Sequence, residues 1–102
     1  PFCHLAVIIF KSKDLNLVGK WSDMYAKSLR AFANRFSAKG KIIVSEAMPC
    51  ALEKADSWYR WQVVIRSQFA SSIAQSWKWI IGERPLPGTI RASMDIDAFN
   101  VI

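Results

Sequence analysis

Trp58-Tyr59-Arg60-Trp61-Gln62-Val63-Val64-Ile65-Arg66 is the stretch on which the fold turns. It is dense in aromatic and β-branched residues, the composition of a strand packed on at least one side. The two-residue period of a strand sends Tyr59, Trp61, Val63 and Ile65 to one face and Trp58, Arg60, Gln62, Val64 and Arg66 to the other. The first set reads as core. The second is a mixed, partly cationic surface, and the functional question is whether it merely solvates a sheet or contacts a partner.

Upstream of this strand, residues 47–57 contain Met48-Pro49-Cys50 and Glu53-Lys54-Ala55-Asp56 and read as a loop or arm, because Pro49 argues against a regular ladder. Lys41 to Glu46 is a short strand before it. Further back, Val18, Trp21, Tyr25, Leu29, Phe32 and Phe36 recur at three- and four-residue steps, which predicts one amphipathic helix. Asp14 or Asn16 offers its N-cap, and Gly40 its stop, with Arg35 and Lys39 complementing the dipole of the last turns. Lys20, Lys27 and Arg30 are expected on its solvated side. The first strand is the apolar run Phe2 to Phe10, which holds His4 near its open end.

Downstream, Ile73, Trp77, Ile80 and Ile81 mark a second amphipathic helix starting near Ser67, with Gly82 close to its end and Pro85, Pro87 and Gly88 in the exit loop. From Thr89 to Asp97, Ile90, Ala92, Met94 and Ile96 alternate with Arg91, Ser93, Asp95 and Asp97, a strand with one buried face. The order strand, helix, strand, strand, helix, strand predicts an α+β fold, a ferredoxin-like βαββαβ sandwich. Right-handed crossovers then put strands one and three in the middle of a four-stranded antiparallel sheet with two helices on one face. The opposite face would display Arg60, Gln62, Arg66, Arg91, Ser93, Asp95 and Asp97.

The chain has 102 residues, 52% of them hydrophobic, enough for one globular domain over residues 1–102. No apolar run approaches the roughly 18 residues of a membrane span, since Lys11, Lys13 and Asp14 end the first one, and no signal peptide is visible. The opening at Pro1 without an initiator Met suggests a domain cut from a longer polypeptide. With 14 Lys and Arg against 8 Asp and Glu, the net charge of +6 favours anionic partners such as nucleic acid or an acidic peptide. Cys3 and Cys50 are too few for a disulfide framework, and with His4 the only histidine they make no zinc set; both are expected as buried thiols in a reducing cytoplasm.

Catalytic patterns are absent from the sequence: there is no nucleophile with a base and no glycine-rich phosphate loop. Asp95 and Asp97 share a strand face, where ion pairs with Arg60, Arg66 and Arg91 are the expected use. For nucleic acid the ingredients are aromatics interleaved with cations in Trp58-Tyr59-Arg60-Trp61 on an open sheet face, with Trp58 as the one candidate for stacking a base. A ferredoxin-like protein–protein or dimerisation module without nucleic acid is the alternative.

Tyr59-Arg60-Trp61-Gln62-Val63-Val64-Ile65 and the closing Ser93-Met94-Asp95-Ile96-Asp97, taken with Pro1-Phe2 and Met48-Pro49, resemble the C-terminal domain of the primosomal protein N′ family, the PriA replication-restart DNA helicases. There a Pro-rich segment precedes a Tyr-Arg-x-Gln-hydrophobic strand, and the chain closes on hydrophobic-Asp-hydrophobic-Asp. The resemblance covers essentially the whole chain. It implies a non-catalytic DNA- and protein-binding module at the end of a 3′-to-5′ helicase, with ATP and zinc sites only in upstream domains. Its implied partners are single-stranded or forked DNA, the acidic tail of the single-stranded-DNA-binding protein and the upstream helicase lobes, with no membrane and a cytoplasmic location. The binding residues on this reading are Trp58, Arg60, Gln62, Arg66 and Arg91. This chain departs from the family at Ser45-Glu46, where Gly-Pro is usual, at Ser57-Trp58, where a Gly-Arg or similar pair is usual, at Ala98, where a Pro is usual, and at Phe69-Ala70-Ser71-Ser72, where a basic residue often contributes to the tail-docking pocket.

Overall fold

The computed structural model describes residues 3–36 and 42–97. Its elements are β1 (His4–Ser12), α1 (Leu15–Phe36), β2 (Ile43–Val44), β3 (Met48–Ala55), β4 (Trp58–Ser67), α2 (Ala70–Glu83) and β5 (Ile90–Ile96). The fold is α+β. One antiparallel sheet runs in the order β2, β4, β1, β5, and β3 also pairs with β4. The two strands read as central, β1 and β4, do lie inside the sheet.

Five strands stand where four were expected, because the segment read as a loop before Trp58 is β3 and a tight turn. Asp56 and Ser57 have φ of 52° and 68°. Two consecutive left-handed residues give the two-residue hairpin whose twist matches the strands it joins. The sequence lacks the Gly that usually marks such a turn, so no local signal announces the hairpin. Pro49 fits because β3 is an outer strand, where a missing N–H can face away from the ladder. The ladder is irregular, as Pro49 suggested: Met48 and Pro49 pair with Gln62 and Trp61, Lys54 and Ala55 with Tyr59 and Trp58, and the register shifts in between, so residues 50–53 lie opposite Arg60.

Other boundaries move for local reasons. β1 continues past Phe10 to Ser12; the expected start at Phe2 lies outside the described residues. The Asp14 side chain accepts the N–H groups of Asn16 and Leu17 at 3.0 and 3.2 Å and caps α1 as expected. The expected helix end at Lys39 and Gly40, with Lys41, also falls outside the described residues. The expected strand from Lys41 to Glu46 shrinks to Ile43–Val44, because the Ser45 hydroxyl takes the Val64 N–H at 2.8 Å in place of a backbone carbonyl. Arg30 leaves its expected solvated role and donates to the carbonyls of Val44 and Ser45 at 3.3 and 3.0 Å, tying α1 to this edge. Ser67 stays in the β1–β4 ladder opposite His4, so α2 begins three residues later than expected. Gly82 lies within the last turn of α2, and the residue that closes the helix is Arg84, whose N–H reaches Ile80 O at 2.8 Å.

The core forms where the helices meet one face of the sheet. Ala6, Ile8 and Phe10 of β1 and Val63 and Ile65 of β4 are fully buried together with Val18, Tyr25 and Leu29 of α1 and Ile73 and Ile80 of α2. Tyr59 and Trp61 pack against this cluster, as alternation requires. Ile81, expected in the core, is exposed. The helices also hold each other: Phe32 and Trp79 rings lie 4.9 Å apart, and Arg84 Nε donates to the Ser28 hydroxyl at 3.2 Å. No helix among the described residues is long and apolar enough to cross a membrane.

Candidate nucleic-acid interface

The sheet face turned away from the helices is built in rows, because directly opposed residues of antiparallel strands project to the same side. One row is Arg91–Lys11–Arg60, from β5, β1 and β4. The next is Ser93–Ile9–Gln62, then Asp95–Val7–Val64, and Leu5–Arg66–Ile43 closes the face at the far end. Extension of β1 to Ser12 is what places Lys11 between two arginines.

Trp58, at the start of β4, stands beside the cationic row. Lys11 Nζ and Lys13 Nζ each lie 5.4 Å from the centroid of its ring, and Arg91 Cζ lies at 5.1 Å. A cation over an indole gains roughly 0.5–1 kcal/mol at a surface site, about the scale on which like charges placed opposite each other across strands repel. The ring therefore offsets part of the repulsion without removing the charge. Among the described residues the carboxylates in contact with a basic side chain are Asp97, on His4, and Asp23, on Lys27, so none pairs with Lys11, Lys13, Arg60 or Arg91. Arg60 Nε is buried with no hydrogen-bond partner among the described residues. A cleft of about 450 Å³ opens over the row, lined by Ile9, Lys11, Arg60, Arg91, Ser93 and Asp95.

Of the five residues named from sequence, Trp58, Arg60 and Arg91 come together here and Gln62 lies one row away. Arg66 does not join them. It sits at the other end of β4, where a smaller cleft of about 330 Å³ is lined by Cys3, Ile43, Arg66, Ser67 and Gln68. Lys11 and Lys13 belong to the site although sequence reasoning did not place them there; the signal was the continued alternation Phe10-Lys11-Ser12-Lys13, in which Phe10 and Ser12 are buried.

The expected pairing of Asp95 and Asp97 with arginines does not occur among the described residues. Asp97 lies just past β5 with φ of 57°, which breaks the strand alternation and turns its carboxylate back to the start of β1. There Oδ2 is 2.6 Å from His4 Nδ1, and Oδ1 accepts the Leu5 N–H at 3.0 Å. These bonds, the His4 one foremost, hold the Asp97 carboxyl below its ordinary value of 3.8. A depressed carboxyl stabilises the fold above its unfolded-state value and loses that contribution as pH falls through the folded-state value. Asp97→Asn should therefore flatten the loss of stability below pH 3.8, read by urea unfolding at stepped pH. An acid limb as steep as in the wild type would remove Asp97 from that role.

Both cysteines differ from the buried thiols expected. Cys3 is exposed and Cys50 half-buried, with its thiol pushed up by burial and partly drawn back by Arg60.

Fold and site together define an α+β sheet protein with helices on one side and, on the other, a cationic cluster that no carboxylate pairs among the described residues. No family model matches the chain, and no curated protein matches it. Among solved structures it is similar to a de novo designed protein, Foldit4, with a TM-score of 0.58 and 15% identity over 92% of this chain and 94% of that one. It is also similar to part of a putative aminohydrolase from methicillin-resistant Staphylococcus aureus, with a TM-score of 0.51 and 12% identity over 93% of this chain; the chain spans 30% of that protein's length. At these identities the likeness is one of fold alone.

Proposed function

We propose that this chain is a non-catalytic nucleic-acid-binding module on a ferredoxin-like frame, in which β2 and β3 are two halves of one interrupted edge strand beside β4. The observation that carries this reading is the convergence of Lys11, Lys13 and Arg91 on Trp58, next to Arg60, with no carboxylate paired to any of them among the described residues. Unpaired cations on a flat sheet face are suited to a polyanion, whose binding releases counterions and gains free energy at every phosphate met. The resemblance to the C-terminal domain of primosomal protein N′ supplies the context: a cytoplasmic replication-restart helicase whose upstream domains hold ATP and zinc. Its partners are then single-stranded or forked DNA, the helicase lobes, and the tail of the single-stranded-DNA-binding protein. Arg66, with exposed Ile43 beside it, is the cation available for an acidic, apolar tail.

The test is fluorescence anisotropy of a labelled single-stranded oligonucleotide and a labelled fork, titrated with the chain between about 50 and 200 mM salt. Binding that weakens steeply as salt rises supports the reading; no binding at the lowest salt sinks it. A second reading, a self-pairing interaction module, is favoured by the apolar part of the same face, Leu5, Val7, Ile9 and Val64 with exposed Ile43 and Met48 at its edge. A stable dimer by light scattering that forms without DNA and excludes it would replace the first reading with the second.

A further inference from the structure

A base stacked on Trp58 would have to share its ring with cations, because Lys11, Lys13 and Arg91 already stand at 5.1–5.4 Å from its centroid. The row beside it is the complementary anomaly. Arg91, Lys11 and Arg60 are directly opposed on three adjacent strands, an arrangement of like charges that costs stability unless an anion neutralises it. Arg60 also keeps a buried Nε with no partner among the described residues, in the wall of the cleft that Lys11 and Arg91 line.

We infer that the Arg91–Lys11–Arg60 row is a phosphate site, the seat of one phosphodiester of a nucleic-acid backbone, and that Trp58 holds the cations in place and does not stack a base. This rests on the nucleic-acid reading above. Two guanidinium forks flanking an ammonium can surround the two charged non-bridging oxygens of a phosphodiester from three strands, a geometry in which Arg recognises phosphate. Ser93 adds a hydroxyl to the cleft, and Asp95 also lies on its lining. Recognition at this point is then indifferent to base identity and to the presence of a base at all.

The experiment compares three probes: a single-stranded oligonucleotide, an abasic strand of the same length, and inorganic tripolyphosphate read by the shift in Tm. Proteins are the wild type, K11Q/R91Q, and K11R/R91K as the charge-conserving control for folding. The inference expects both strands to bind the wild type alike. K11Q/R91Q should weaken both, with a salt slope reduced by roughly 0.7 for each phosphate it no longer neutralises, while K11R/R91K retains binding. A drop in affinity of about fivefold or more on removing the bases, the low end of what a stacked base contributes, overturns it and makes Trp58 a stacking platform. Equal affinity and slope for wild type and K11Q/R91Q overturns the phosphate site while leaving the nucleic-acid reading intact. Failure of both strands to bind, with tripolyphosphate still raising the Tm of the wild type and not of K11Q/R91Q, keeps the phosphate site and removes the nucleic-acid reading. No response to any probe removes both.

Discussion

Val63→Asp should cost this protein a large part of its stability at neutral pH, whereas Val64→Asp, one residue along, should cost little. Val63 is fully buried opposite Ile8 on the helix-facing side of β4, and Val64 is half-buried opposite Val7 on the open side. An ionised carboxylate at position 63 would have no cation and no water; burial raises its pKa, and the cost of either ionising or neutralising it falls on the fold. Destabilisation above roughly 4 kcal/mol comes from this mechanism, against a total stability of about 5–15 kcal/mol for a domain. At position 64 the carboxylate reaches solvent, and the cost is the strand preference of Val over Asp, about 1 kcal/mol. Because the buried carboxyl titrates high, the deficit of Val63→Asp relative to the wild type should shrink as pH falls through that raised value. Urea unfolding followed by circular dichroism measures both. Similar destabilisation of the two variants would contradict the assignment of faces along β4.

Tyr25→Ala should be the most damaging truncation in α1. The ring is fully buried, meets Phe10 edge-on at 5.3 Å and 87°, and lies 6.4 Å from Trp21. Its hydroxyl donates to the carbonyl of Arg84 at 2.5 Å, so one side chain joins α1, β1 and the end of α2. Truncating a large aromatic at such a position costs about 3–5 kcal/mol. Tyr25→Phe keeps the ring and removes one part-buried hydrogen bond to an exposed residue, which costs about 0.5–1.5 kcal/mol. Burial raises the phenol above its ordinary 10.0. A group raised in the folded state contributes stability that is complete below its unfolded-state value and disappears as pH rises through the folded one, so Tyr25→Phe should flatten the alkaline limb of the stability curve. Equal stability of the Phe and Ala variants would show that the packing of the ring contributes nothing.

Several parts of this molecule could be read from local pattern. The division of Trp58 to Arg66 into a core face and an open face needed only the period of a strand, because each face meets a different solvent and a one-residue error would bury Arg60 and Arg66. The position of α1 followed from Val18, Tyr25 and Leu29 at helical spacing behind an Asp14 cap, and the apolar side of β5 from its alternation. The presence of cations around Trp58 was half legible for the same reason: Arg60 is its near neighbour in sequence, and Arg91 lies on the predicted open side of its own strand.

What local pattern could not supply was anything set by register or by a left-handed residue. Whether Lys11 stands between Arg60 and Arg91 depends on how β1 slides against β4 and β5, and that is fixed by core packing on the other side of the sheet. Asp97 was expected to pair with arginines, but a positive φ after Ile96 turns it onto His4 and Leu5, 93 and 92 residues away in the chain. β3 was hidden because its turn uses Asp56 and Ser57 in a conformation that Asn-Gly usually announces. The sequence by itself therefore determined which residues face the core and which face out. Only the tertiary structure decided which outward residues meet, because cross-strand neighbours are chosen by long-range packing, which no local period records.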